Sequence, residues 1–385
     1  MSGQIPTVVI ATLFRGRGGG EEYLLRLIRS AAEPLRRKLV CLFFYETCYA
    51  HYGPVLAALG VHCEVARGGQ WSKLWRLAEL IRRGRPAVVH LNGHCDHAAR
   101  LAWLKLLFPS VRFCITNHAT PDPSHDSKGC AALRKINRSF RTLPLFRVAD
   151  PLIFVSRQQV GLMARNRFFR PRKPLVIHNG VELPGRCKAP HSSGPLVVGL
   201  VGNNGIVKKY AFALSVSDVL LSGGLDFRVH HYGAAGAELA QTLSPANRSR
   251  FVTHGYVDDR DSIYQAIDVL FAPGTYESFC YVAAEAMAYG IPVLLPDIEL
   301  YRELYGQGDE PVCLFFEKDD LEDAAQKLRV LLTDAGLRER LALAGRKVVE
   351  QRYNLGETNR RTWQAFLGPA FSPELLCSPG TQVAD

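Results

Sequence analysis

Short apolar runs without polar alternation, each followed by a segment of helical period, recur along this chain. Runs of that kind are the mark of strands buried on both faces of a parallel sheet. They are expected at 7–14, 38–45, 62–66, 87–92, 111–118, 151–156 and 174–181, with helices at 21–29, 54–59, 72–83 and 96–108 between them. The pattern breaks at Leu-Pro-Gly-Arg-Cys-Lys-Ala-Pro-His-Ser-Ser-Gly-Pro, residues 183–195, whose Pro, Gly and Ser content suits a linker. It then restarts, with strands at 196–202, 227–233 and 250–257 and a helix at 210–221. Strict alternation of strand and helix requires a doubly wound α/β sheet, and 385 residues are too many for one ordinary core. The fold class is therefore α/β, with two Rossmann-like doubly wound domains: residues 1–182, a linker at 183–195, and residues 196–354. A further helix is expected within 355–371, followed by a disordered tail over 372–385.

Ligands of such sheets sit at the carboxyl ends of the strands, which here carry Gly18, Asn92 and His118. The first strand runs directly into Arg15-Gly-Arg-Gly-Gly-Gly20 and then a helix. Glycines in that position, Gly19 and Gly20 among them, let backbone amides approach a phosphate or a sugar. Their spacing is neither the dinucleotide fingerprint nor a P-loop.

The richest stretch is 272–295, Ala-Pro-Gly-Thr-Tyr-Glu-Ser-Phe-Cys-Tyr-Val-Ala-Ala-Glu-Ala-Met-Ala-Tyr-Gly-Ile-Pro-Val-Leu-Leu. A turn at Pro273-Gly274 leads into an alanine-rich helix, Gly290 suits its left-handed cap, and a strand follows. Glu277 precedes the helix and Glu285 lies within it. Eight residues of helix would separate them by about 12 Å. Two carboxylates acting on one glycosidic bond usually stand about 5 to 9.5 Å apart, so a long ligand held at two points suits them better. An anionic diphosphate between those points would face the helix's amides and its positive end. A surface helix with an incidental capping glutamate fits the same pattern.

Composition narrows the classes. Hydrophobic residues make up 47% of the chain, and no apolar stretch approaches the roughly 18 residues of a membrane span. With no basic leader at the start, the expected location is the cytoplasm. Ten cysteines occur without a C-x-x-C pair, as expected of reduced core thiols. His94 and His97 could share a helix face, but no second half-site accompanies them, and no metal is expected. The net charge of +11 is concentrated: residues 131–173 hold eleven Lys or Arg, Arg134, Lys135, Arg138 and Arg141 among them, against the single acid Asp150. Interleaved with Phe140, Leu143, Leu145 and Phe146, this basic run suits an anionic membrane surface, and a solvated helix face is the plain alternative. No nucleic-acid-binding motif is legible, so nucleic acid is not expected as a partner.

Glu277-x7-Glu285, with Ser278-Phe279 after the first acid and Ala-Met-Ala-Tyr-Gly-Ile-Pro-Val after the second, resembles the donor-site signature of the GT-B retaining glycosyltransferases of family 4. The resemblance extends in order along nearly the whole chain. It implies two Rossmann-like domains facing a cleft, with the helix after 355 crossing back to the first domain. It further implies a nucleotide diphosphate sugar as donor, a glycan, lipid-linked or lipopolysaccharide-type acceptor, and no cofactor or metal. By the same resemblance Lys208 and the amides near Phe279 and Cys280 face the departing diphosphate, Glu277 holds the sugar hydroxyls, Glu285 holds the ribose, and His118 contacts the donor sugar. The family's diphosphate loop carries an arginine and a glycine where this chain has Asn203 and Lys209, so part of the usual charge clamp is absent. Two other readings stay open on these residues: a nucleotide-sugar 2-epimerase, and a non-catalytic relative that binds nucleotide sugar or docks on membranes.

Overall fold

A computed structural model of the chain describes residues 5–14, 18–93, 104–118, 149–164, 174–191, 193–203 and 205–377. The chain divides into two compact units, Met1–Gly180 with Leu355–Asp385, and Val181–Asn354.

The first unit is built on a seven-stranded sheet of order β3-β2-β1-β4-β5-β6-β7. Its strands are β1 (Val8–Thr12), β2 (Leu39–Phe43), β3 (His62–Val65), β4 (Val88–Asn92), β5 (Arg112–Asn117), β6 (Leu152–Phe154) and β7 (Pro174–Val176). Every pairing is parallel. The central strands β1 and β4 are buried at all five positions, which is why their sequence shows no polar alternation. Helices α1 (Gly19–Ser30), α2 (Glu46–Ala58) and α3 (Gln70–Gly84) cover the faces. Leu74, Leu77 and Ile81 of α3 enter one core with Val9, Ala11, Leu42, Val89 and Leu91.

The second unit repeats the design on a six-stranded parallel sheet of order β10-β9-β8-β11-β12-β13. Here β8 is Leu196–Val201, β9 Phe227–Tyr232, β10 Phe251–Thr253, β11 Val269–Phe271, β12 Val293–Pro296 and β13 Leu314–Phe316. The helices that matter below are α4 (Tyr210–Ser222) and α5 (Tyr281–Ala288), with α6 (Leu321–Thr333) and α7 (Ala335–Arg352) completing the cover. The final helix, α8 (Leu355–Leu367), belongs to the first unit. Trp363 there is fully buried and donates from Nε1 to the Leu27 carbonyl at 3.2 Å, while Asn359 donates to the Arg26 carbonyl at 3.1 Å.

Three local expectations change. Helix α2 begins eight residues before the expected start at Pro54, because Cys48, Tyr52 and Leu56, spaced by four, bury one stripe that outweighs the backbone bond Pro54 forgoes. Residues 183–195 are not a free spacer. The Lys188 amide donates to the Tyr289 carbonyl at 2.8 Å, and Lys188 and His191 lie 3.3 and 3.2 Å from the Asp268 carboxylate, so this segment is laid along the second unit. Residues 372–377, expected as the start of a disordered tail, continue against α1: Leu376 bridges Ala31, and the Ala32 amide donates to the Leu375 carbonyl at 2.8 Å. Among the described residues, no helix is long and apolar enough to cross a membrane.

Candidate active site

In the second unit, β8 and β11 are neighbours in the parallel sheet, so the loops that leave their carboxyl ends lie side by side. The β8 loop closes in a turn at Ile206–Lys208 before α4, and the β11 loop carries Pro273, Gly274 and Glu277 before α5. A Cβ on Gly274 would stand 3.2 Å from the Val207 carbonyl oxygen, which shows how tightly the two loops pack. Tyr301, fully buried on the short helix Glu299–Tyr305, fixes the second loop by donating to the Gly274 carbonyl at 3.0 Å.

That packing brings Lys208 and Glu277 together. Lys208 Nζ lies 2.6 Å from Glu277 Oε1, with the two side chains 25% and 17% exposed. Burial by itself would lower the lysine's pKa, but the Glu277 carboxylate outweighs it, with Tyr210 and Cys280 adding, and the ammonium is held above the usual lysine value. It is a permanent cation at neutral pH. Tyr210 secures the base of the same loop through a hydrogen bond to the Val201 carbonyl at 2.5 Å. Gly202, at φ +126°, has no space for a Cβ, which would fall 2.9 Å from the Tyr210 hydroxyl.

Cys280 caps the amino end of α5 in the left-handed region, at φ 65° and ψ 73°, and is buried. Burial pushes its thiol up to about 11, with Glu277 adding and Lys208 opposing, so it is a neutral group. Left-handed backbone costs an ordinary residue about 1–2 kcal/mol. Cys280→Gly is therefore expected to unfold at higher urea than Cys280→Ala, by about 0.5–1 kcal/mol after glycine's own chain entropy is subtracted. The reverse order, which holds at most buried helical positions, would show that the conformation carries no strain.

Glu285 faces a different set of groups. Its Oε2 accepts from the Tyr264 hydroxyl at 2.8 Å, and Oε1 lies 3.4 Å from Arg260 Nε. Neither partner was legible in the sequence, since they stand 21 and 25 residues away on the helix Arg260–Ala266 and no local pattern joins them to Glu285. Ser278 and Phe279 lie between the acid Glu277 and the α5 cap, Phe279 fully buried against the Tyr281 and Tyr353 rings.

The residues that replace the expected charge clamp have other partners. Asn203 is exposed, and its Oδ1 accepts from the Ala234 amide at 2.9 Å, tying the β8 loop to the β9 loop. Lys209 occupies the left-handed region at φ 52° and is ion-paired with Asp319.

In the first unit, the strand-end residues form one cluster. Asn92, the last residue of β4, donates from Nδ2 to the Gly20 carbonyl at 3.0 Å, and its Oδ1 lies 3.0 Å from His118 Nε2. That oxygen only accepts, so Nε2 carries the proton. His118 packs against Tyr23 and Phe14, at ring-centroid distances of 4.6 and 5.9 Å. Gly19 opens α1, and a Cβ on Gly20 would fall 2.2 Å from the Phe14 ring. Arg134, Lys135, Arg138 and Arg141 lie outside the described residues, as do Arg15, His94 and His97.

Residues 17–183 match the family model Glycosyltransferase Family 4, and residues 230–348 match Glycosyl transferases group 1, so most of the chain is accounted for in order. A lipopolysaccharide core biosynthesis mannosyltransferase, LpsB of Rhizobium meliloti (strain 1021), is 36% identical over 81 residues, which is 21% of this chain and 22% of LpsB. The capsular polysaccharide biosynthesis glycosyltransferase CapM of Staphylococcus aureus is 30% identical over 99 residues, 26% of each chain. The matches thus span about a quarter of the length of these curated relatives. Among solved structures, Anabaena HepE in complex with UDP superposes with a TM-score of 0.77 over 93% of this chain and 98% of that one, at 16% identity, a likeness of fold. Two parallel α/β units, a lysine and a glutamate joined at adjacent strand ends, and two consecutive family matches lead to one assignment: the chain belongs to the group 1 glycosyltransferases of GT-B fold.

Proposed function

We propose that the protein moves a sugar from a nucleotide diphosphate sugar to a glycan, lipid-linked or lipopolysaccharide-type acceptor, with retention at the anomeric carbon and without a metal ion or cofactor. The observation that carries the proposal is the Lys208–Glu277 pair at 2.6 Å, set in the loops before α4 and α5 with Glu285 farther along α5. Transfer develops negative charge on the leaving diphosphate and positive charge on the sugar carbon, and fixed charges stabilise both better than water does. Lys208 and the amino end of α5 face the diphosphate. Glu277 holds the sugar hydroxyls, and Glu285, positioned by Tyr264 and Arg260, holds the ribose hydroxyls. His118, its ring fixed by Asn92, is the residue that the family resemblance assigns to the donor sugar. The departing phosphate oxygen takes the acceptor's proton on the same face, so no separate protein base is required. Gly19 and Gly20, the first residues of α1, are the glycines that the family resemblance assigns to the donor, while Asn203 and Lys209 shape the second unit's loop through Ala234 and Asp319.

The relatives support the substrate classes: LpsB and CapM are named for lipopolysaccharide core and capsular polysaccharide synthesis, and HepE was solved with UDP. The test is a thermal-shift panel of UDP, GDP, ADP and TDP with their common sugars on wild type and Glu285→Ala. One base is expected to raise the wild-type midpoint, by about 2.7 kcal/mol of stabilisation at a hundredfold excess over Kd, and Glu285→Ala is expected to lose that shift. A panel with no shift in wild type would favour the non-catalytic reading that Asn203 leaves open.

An anionic membrane surface is the partner we propose for the first unit. Trp71 and Trp75, 65% and 75% exposed, share one face of α3 with Arg82, and Arg85 follows at the helix's left-handed cap; both arginines are exposed and have no ion-pair partner among the described residues. Aromatic rings with adjacent cations match the headgroup region of an anionic bilayer. Trp71→Ala/Trp75→Ala and Arg82→Glu/Arg85→Glu are each expected to weaken sedimentation with phosphatidylglycerol vesicles while nucleotide binding is kept. Equal sedimentation of wild type and both variants would remove the membrane from the proposal.

A further inference from the structure

The ladder between β2 and β3 pairs Cys41 directly with Cys63. Parallel neighbours lie about 4.7–4.9 Å apart, within the roughly 4.4–6.8 Å usual between the Cα atoms of bridged cysteines. In-register residues point to the same face of a sheet. Leu42 belongs to the core under α3, so Cys41 and Phe43 point to the opposite face, where Phe43 meets Cys48, Tyr52 and Leu56 of α2. There the two thiols stand side by side on neighbouring strands. Their settings differ. Cys41 is fully buried on an inner strand, and Cys63 is half-buried on β3, the edge strand of the sheet. The neighbouring Cys41 thiol lowers the Cys63 pKa against the opposing effect of burial, and the Cys63 sulfur together with burial raises that of Cys41. One sulfur is thus accessible and nucleophilic, and the other is held beside it as a neutral thiol.

We propose that Cys41 and Cys63 form a dithiol site for hydroperoxides, in which Cys63 is the attacking sulfur and Cys41 the resolving one. The Cys63 thiolate attacks the terminal oxygen of the hydroperoxide. An S–O bond forms, the O–O bond breaks, and the leaving alkoxide or hydroxide takes a proton to depart as alcohol or water. The sulfur of Cys41 then attacks the Cys63 sulfenic acid: the S–S bond forms, the S–O bond breaks, and a second water leaves with the Cys41 proton. Two electrons pass from the thiols to the peroxide, and two equivalents of a thiol reductant reverse the change. The product fastens the edge strand β3 to β2. This inference does not depend on the sugar-transfer reading.

The test uses the full chain, reduced, freed of reductant, treated with stoichiometric hydrogen peroxide, alkylated and mapped by mass spectrometry. The expected result is a crosslinked peptide pair joining Cys41 to Cys63, with the protein lighter by two hydrogens and restored by dithiothreitol. In Cys41→Ser the expected product is a Cys63 sulfenic acid trapped by dimedone, with no crosslink. In Cys63→Ser both the crosslink and the dimedone adduct at this site should be lost, and this second variant serves if the buried Cys41 change impairs folding. The proposal is overturned if wild-type Cys41 and Cys63 remain alkylatable while another thiol such as the exposed Cys187 is oxidised, or if Cys63 passes to sulfinic acid without a crosslink.

Discussion

Lys208→Met is expected to lower kcat by about 10²–10³, corresponding to about 2.7–4 kcal/mol of lost transition-state stabilisation, with a smaller change in the donor KM. The reason is the placement of its ammonium, a permanent cation 2.6 Å from Glu277 at the mouth of two adjacent strands. Methionine keeps most of the stem that fills the loop and removes only the charge. The substitution also leaves Glu277, 17% exposed, without its partner, so a loss of folded-state stability must be measured beside the rate. Lys208→Met/Glu277→Gln isolates the stability effect, because it removes the orphaned carboxylate; the rate is read in the single variant, since Glu277 is also the residue proposed to hold the sugar. Steady-state rates with saturating donor decide the matter. A normal kcat together with a lowered melting temperature in the single variant would make the pair structural.

Trp363→Ala is expected to destabilise the first unit by about 3–5 kcal/mol, the cost of emptying a fully buried aromatic site. Such a loss is a large share of the roughly 5–15 kcal/mol that ordinary domains possess. Trp363 fills the contact of α8 with α1, its indole N–H bonded to the Leu27 carbonyl, and Phe366 beside it packs on the His90 ring at 4.2 Å. Truncation therefore leaves a cavity, while the Leu27 carbonyl keeps the Ser30 hydroxyl as its donor. Scanning calorimetry should show one transition moved down by roughly 6–20 °C, at about 2–4 °C per kcal/mol for a unit of this size. If the midpoint moves by less than a degree or two, α8 contributes little to the first unit.

Much of this architecture could be read before any coordinate, and the places where reading failed share a cause. The buried runs at β1, β4, β8 and β11 announced parallel sheets, because a strand covered on both faces has no polar side to display. Glu277 and Glu285 stood out through their positions before and within a helix, which local spacing does encode, while Lys208 was reached through the family resemblance. The start of α2 was misread because Pro54 looks like a first helical residue, while the stripe Cys48, Tyr52 and Leu56 that carries the helix through it acts only when a sheet is present to cover it. The tail after 371 looked free for the same reason: its polar and proline-rich residues conceal a backbone ladder to Ala31 and Ala32 on another element.

By itself, the order of residues determined two α/β units and the family to which the signature belongs. Only the tertiary structure decided that Lys208 meets Glu277 across 69 positions, that Lys209 is taken by Asp319, that Glu285 rests on Tyr264 and Arg260, and that Cys41 stands against Cys63. Periodicity and turn chemistry act over a few residues and are written locally. Pairings between distant side chains depend on strand order and register, which are settled only when whole sheets bury their faces together.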